Sequence, residues 1–244
     1  MLITHLADLD LLDDATLATA TELAIEGDAY RHLFRARRLA RGARLRVVDG
    51  AGAARWGEVL EIDRRRAQVS LGEEAPANEP SYSLDLIVGA PRPERAAWLV
   101  EKATELGVVA IRFVASERTP RTYGDGTLER WRRVASSAVE QCHRARCPEV
   151  SGVHRWEEVP GLLNAMGESW MLDLETEWHA ADQLVTRAAS GAVLAGPEGG
   201  WSPTEGVELR ALGAMPIGLG PRVFRVETAA FAMAALVLLG REHP

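Results

Sequence analysis

The sequence predicts an α/β protein: a mostly parallel sheet with helices on both faces, preceded by a small β-rich module. Three observations carry this. From Leu84 onward, short apolar runs alternate with runs of helical period. From Arg44 to Leu71, by contrast, Val, Leu and Ile are grouped in short stretches with turn residues between them. Separating the two patterns is Gly72 to Pro80, which holds two Pro and three Glu and no large apolar residue, as an exposed linker would.

Taken in order, Tyr30 to Leu39 reads as a short basic helix. Three strands follow, Arg44 to Asp49, Arg55 to Asp63 and Ala67 to Leu71, with the turn Asp49-Gly50-Ala51-Gly52 between the first two. The composition shift over residues 73–81 marks a boundary between domains 1–73 and 82–244. Beyond it, Leu84 to Gly89 is a buried strand, and Pro93 to Leu106 is a helix with Leu99, Val100, Ala103 and Leu106 on one face. Val108 to Val114 is the next strand. Thr127 to Arg146 is the longest helix; it buries Leu128, Trp131, Val134, Ala138 and Cys142, while Arg130, Arg133, Glu140 and Arg144 project elsewhere. Trp170 to Leu174, Ala192 to Ala195 and Met215 to Leu219 are further short strands. The apolar run Ala229 to Leu239 is too short to span a bilayer and reads as a core helix. Strands alternating with helices build a parallel sheet covered on both faces.

The net charge of −7 argues, as an average, against a nucleic-acid partner. Its distribution does not. Residues 1–30 carry seven acids and no base, whereas residues 31–72 carry eleven Arg against four acids. Seven of those Arg fall between Arg31 and Val48 without an acid among them. Of the 28 basic residues only Lys102 is a lysine, and Arg is the side chain that holds phosphate bidentately and stacks on bases. Cys142 and Cys147 cannot complete a four-thiolate site, so no metal is expected. The acidic stretch Met1 to Asp14 has no apolar h-region, so a cytoplasmic protein without a signal peptide or membrane anchor is expected.

Two loops stand out. The strand ending at Ala195 runs into Gly196-Pro-Glu-Gly-Gly-Trp-Ser-Pro-Thr-Glu205, where Ser202 and Glu205 form a capping box with Pro203 at the first helical position. Glycines at the carboxyl end of a parallel strand mark the place where open α/β sheets bind ligands. The spacing is neither GxGxxG nor a P-loop, so the ligand need not present phosphate. The second loop, Leu219-Gly-Pro-Arg-Val-Phe-Arg-Val-Glu-Thr228, brings Arg225, Glu227 and Thr228 to the start of an apolar helix. Thr228 reads equally as a cap there, and Glu227 as a charge favoured by the helix dipole.

These loops resemble the paired C-terminal signatures of the RsmE-type 16S ribosomal RNA uracil-N3 methyltransferases. Glu101-Lys-Ala-Thr-Glu-Leu-Gly-Val108, Ser116-Glu-Arg118 and Arg130-Trp131 with Ala138-Val-Glu-Gln141 agree in order. His32-Leu33, Arg38-Leu39, Gly42 and Val48-Asp-Gly-Ala-Gly52 match the family's N-terminal module. The chain departs from the family pattern at Arg92, Ala43, Cys142 and His143. The resemblance implies a SPOUT-type, trefoil-knotted C-terminal domain, a PUA-like β-barrel at the N-terminus, a homodimer and S-adenosyl-L-methionine as methyl donor. The implied substrate is N3 of a decoding-region uridine in 16S rRNA, within a small-subunit particle. A non-catalytic rRNA-binding assembly factor, or a SPOUT methyltransferase acting on another RNA site, are the alternatives.

On this resemblance the cofactor-binding candidates are Leu194, Gly196, Pro197, Glu198, Gly199, Leu219, Gly220 and Thr228, the glycines admitting a close backbone approach. N3 of uridine carries a proton, and its removal develops charge on the uracil oxygens. Arg225 is the first candidate to stabilise that charge and Arg222 the second, with Glu227 or Glu198 as proton acceptor. Expected RNA contacts are Arg31, Arg35, Arg37, Arg38 and Arg41 in the N-terminal module, and Arg118, Arg121 and Arg144 beyond it.

Overall fold

The computed structural model describes residues 2–5, 14–118, 122–176 and 188–242. It divides into two compact units, Met1–Glu79 with Ser136–Cys147, and Pro80–Ala135 with Pro148–Pro244.

In the first unit, β1 (Leu2–His5), α1 (Asp14–Thr19) and β2 (Glu22–Ile25) lie in a stretch for which the sequence suggested no elements. α2 (Gly27–Tyr30) continues as a π-helical turn, Arg31–Ala36, and then come β3 (Arg44–Val48), β4 (Ala54–Ile62) and β5 (Ala67–Glu74). The basic helix thus starts earlier than expected and stops before Leu39, because Arg38 takes φ +57°. The strands form one sheet in the order β1-β3-β4-β5-β2, antiparallel except for the β1–β3 pair. Period-2 alternation sends Leu45, Val47, Val59 and Val69 to one face, where Leu17, Ile25, Tyr30, Leu33 and Phe34 cover them. Each such side chain fully removed from water contributes about 1.5–3 kcal/mol.

The second unit holds β6 (Ser83–Gly89), α3 (Pro93–Leu106), β7 (Ala110–Val114), β8 (Glu149–His154), α5 (Val159–Leu163), β9 (Ser169–Leu172), β10 (Ser190–Ala195), α6 (Pro203–Ala211), β11 (Met215–Ile217) and α7 (Val226–Glu242). α4 (Asp125–Cys142) runs from this unit into the first. The six strands are all parallel, in the order β11-β9-β10-β6-β7-β8. Two elements, β8 and α5, were not expected from the sequence. α5 and α6 cover the face that carries Ile87, Ala192 and Leu194. On the other face α7 packs against β6 and β10, with α3 beside it. The apolar run of the sequence supplies the buried Ala230, Met233, Ala234, Val237 and Leu238 of α7. Among the described residues no helix is long and apolar enough to cross a membrane.

α4 ends at Cys142, not at Arg146, and the reason is local. His143 takes φ +66°, and the Glu79 carboxylate then accepts the N–H groups of Ala145 (3.0 Å) and Arg146 (2.8 Å), together with Arg144 Nη2 (2.7 Å) and Nε (3.1 Å). The Arg144 guanidinium, expected at the RNA surface, is buried in this pairing and cannot reach a phosphate without breaking it.

Candidate active site

The carboxyl end of β10 opens into the glycine loop as expected. Ser202 caps α6: its Oγ accepts the Glu205 N–H (3.2 Å), and Glu205 Oε2 accepts the Ser202 N–H (2.7 Å). The structure adds a third partner. Glu205 Oε1 accepts the backbone N–H of Glu117 (2.8 Å), so this buried carboxylate ties the loop to the chain leaving β7. Arg118 from that same segment donates through Nη1 to the Gly199 carbonyl (2.5 Å). At Gly89, the last residue of β6, the loop crosses so closely that a Cβ would lie 2.5 Å from Pro197 N. Gly200 and Gly220 take positive φ, +69° and +84°, which a side chain would strain.

The loops converge. Residues 196–203 after β10, 219–226 before α7 and 172–175 after β9 enclose a cavity of about 790 Å³ at the carboxyl ends of β9, β10 and β11. Gly196, Pro197, Glu198, Gly199, Leu219, Gly220, Arg222 and Arg225 all line it, and so does Arg118, expected from the sequence as an RNA contact. Leu194 does not. Strand alternation turns it into the core beneath α5 and α6, one residue before the strand ends. Glu227 and Thr228 are also absent from the wall, because α7 begins at Val226 and turns both away. The buried Glu227 carboxylate faces Arg95 Nη1 at 3.4 Å, at the start of the helix where a negative charge is favoured.

Sequence reasoning missed the wall formed by Asp173, Leu174, Glu175, Trp201 and Arg210. β9 ends at Leu172, and Asp173 receives Arg210 Nη2 at 2.8 Å and the Glu175 N–H at 3.1 Å. An aspartate directly after a buried strand was the signal available. The buried Trp201 Nε1 has no hydrogen-bond partner among the described residues. In the first unit, Arg37, Arg38 and Arg41 are exposed. Arg31 pairs with Asp28, and Arg35 donates to the Arg64 carbonyl (2.9 Å). Arg121 lies outside the described residues.

This arrangement of loops over a parallel sheet has known counterparts. A family model described as an RNA methyltransferase domain matches residues 78–238, and an RNA methyltransferase PUA domain matches residues 25–72. The chain belongs to the RNA methyltransferase family. Among fellow RNA methyltransferases, ribosomal RNA small subunit methyltransferase E of Mycobacterium bovis is 32% identical over 227 residues, spanning 87% of this chain and 84% of that one. Its Bacillus subtilis counterpart is 25% identical, over 89% and 90%. A solved ribosomal RNA small subunit methyltransferase E from Neisseria gonorrhoeae, bound to S-adenosyl methionine, superposes with a TM-score of 0.78 at 26% identity, covering 88% of this RNA methyltransferase and 90% of that chain.

Proposed function

We propose that this chain transfers a methyl group from S-adenosyl-L-methionine to N3 of a uridine in small-subunit (16S) ribosomal RNA. The observation that carries the reading is the convergence of the 196–203 and 219–226 loops, together with the exit of β9, on one cavity. Its size falls in the range of small-molecule sites, and its wall is suited to this donor. Glycine backbone is presented at close approach, and Asp173, Glu175 and Glu198 supply acid for a cationic ligand. Residues 196–200, 219 and 220 would hold the cofactor, which when bound there supplies an electrophilic methyl group.

The chain's own residues must do the rest. Deprotonating N3 leaves negative charge spread over the uracil oxygens, and Arg225, an exposed residue of the cavity lining, would stabilise it, with Arg222 second. Of the two carboxylates considered as base, only Glu198 lines the cavity, and it takes the proton directly or through water. Residues 1–73 hold RNA through Arg37, Arg38 and Arg41, while residues 82–244 carry out the transfer with the two loops drawn into a trefoil knot. The protein works in the cytoplasm as a homodimer on an assembling small-subunit particle.

Mass spectrometry of 16S rRNA nucleosides tests the reading. A deletion strain should lose 3-methyluridine at one site, regain it with the wild-type gene and fail to regain it with Arg225→Ala. 3-Methyluridine that persists in the deletion strain refutes it. Calorimetry with S-adenosyl-L-methionine separately tests the cavity, and sedimentation of the purified chain tests the dimer.

A further inference from the structure

The first unit has a second concave feature, on the sheet face opposite its core. Arg44, Arg46 and Val48 of β3 and Ala54, Trp56 and Glu58 of β4 share that face by alternation. One end of it is covered. Val48 and Ala54 pack with Ala75, Ala77 and Ala145, and Arg46 is buried beneath the cover, donating to the carbonyls of His143 (2.8 Å) and Ala77 (3.1 Å). The other end is open. A groove of about 330 Å³ lies there, lined by Arg44, Trp56, Glu58, Ser70 and Glu73 with backbone from Gly57 and Gly72.

A bulge makes this groove. Arg55 pairs with Glu74 but Gly57 pairs with Leu71, so Trp56 stands opposite both Gly72 and Glu73. Gly72 adds no side chain at this bulge, and Trp56 is half-buried. The Arg44 guanidinium lies over the Trp56 ring, 5.2 Å from its centroid, and among the described residues no salt bridge holds it. An exposed arginine lying over an indole, on an open sheet, offers a planar cation backed by an aromatic ring, a combination against which unpaired nucleic-acid bases stack. The two carboxylates at the rim would repel phosphate, but they accept N–H donors from a base edge. Guanine presents two adjacent donors on its Watson–Crick edge, whereas adenine and uracil present fewer.

We propose that this groove binds one unpaired base of the RNA, preferring guanine, stacked against the Arg44–Trp56 pair, in which the indole holds the guanidinium in place, with Glu58 and Glu73 reading the base edge. It is a site separate from the methyl-transfer cavity. The proposal rests on the RNA-modifying reading above only for the nature of the ligand.

The test is fluorescence anisotropy with the full chain at fixed salt, using fluorescein-labelled uridine heptamers whose central residue is guanosine, adenosine or uridine. The guanosine heptamer should bind best. Trp56→Ala should weaken its binding about five- to a hundredfold, the range for one stacked base, while Trp56→Phe retains most of the affinity. The pair Glu58→Gln and Glu73→Gln should erase the preference for guanosine. Equal binding of the three heptamers by the wild type, or a Trp56→Ala affinity within twofold of wild type, overturns the proposal. Thermal unfolding of each variant identifies misfolding; should Trp56→Ala misfold, loss of guanosine preference in the surface double variant decides. If 3-methyluridine formation proves absent but the Trp56 effect stands, the methylation reading fails and this site survives. Methylation with no Trp56 effect has the opposite meaning.

Discussion

Glu205 is the side chain whose loss should propagate furthest. It is buried, it closes the capping box of α6, and its two oxygens accept the N–H groups of Ser202 (2.7 Å) and Glu117 (2.8 Å). Glu205→Ala removes both bonds, each to a charged acceptor and worth about 1.5–3 kcal/mol. It also releases the cost of keeping a carboxylate out of water, and the Glu117 amide can recover a water, so the net loss should be about 2–4 kcal/mol. For a unit of this size that corresponds to a fall of roughly 4–16 °C in unfolding midpoint. Glu205→Gln retains one acceptor oxygen but turns an NH2 group toward the other donor, and should lose about half as much. Because the same carboxylate holds the 196–202 loop to the segment after β7, S-adenosyl-L-methionine affinity should fall with stability. Thermal unfolding followed by tryptophan fluorescence, with calorimetric titration of S-adenosyl-L-methionine on the same samples, measures both. A Glu205→Ala midpoint within 2 °C of wild type at unchanged affinity would refute the reasoning.

Gly89→Ala places a Cβ 2.5 Å from Pro197 N and 2.6 Å from Pro197 Cδ, so the loop must move, at about 1–3 kcal/mol; a calorimetric titration as tight as wild type would contradict the close approach. Reversing Arg37 and Arg38 to Glu should abolish binding of 16S rRNA in filter assays and leave cofactor affinity intact; unchanged RNA affinity removes these two from the footprint. Burial pushes the Cys147 thiol up from 9.0 to about 11, only partly offset by Arg144. At pH 8 its thiolate fraction is then roughly a hundredfold below that of an unperturbed thiol, and iodoacetamide labelling of native Cys147 should slow accordingly. The unfolded thiol ionises first as pH rises, so it lowers stability between about pH 9 and 11, and Cys147→Ser should make the alkaline decline shallower in that range, the share of the buried Tyr82 phenol remaining.

Much of the frame is legible in the residues, and the failures have causes. Strands β3 to β5, β6 and β7 and helices α3, α6 and α7 are marked by their apolar period and by caps such as Ser202 with Glu205. β1, β2 and α1 are too short and too acidic in their surroundings to stand out. β8 carries Gly152 and alternates only weakly, with Val150 its one buried residue. In the site, the glycines and arginines of the two loops could be named from their place after parallel strands together with the family resemblance. Asp173 and Arg210 could not, since their pairing at 2.8 Å depends on the exit of β9 meeting the last turn of α6.

By itself, the sequence determined the class of the fold, the two ligand-facing loops and the concentration of arginine upstream, because each is written locally, in periodicity, capping and composition. Only the tertiary structure decided which of those polar groups are available. It buried Arg144 against Glu79, turned Glu227 to Arg95 and Leu194 into the core, and left Arg222, Arg225 and Glu198 on the cavity wall. A charged side chain goes to whichever partner spares it an unpaired burial, and those partners lie 65 and 132 residues away in the chain for Arg144 and Glu227. No local pattern records a contact of that separation.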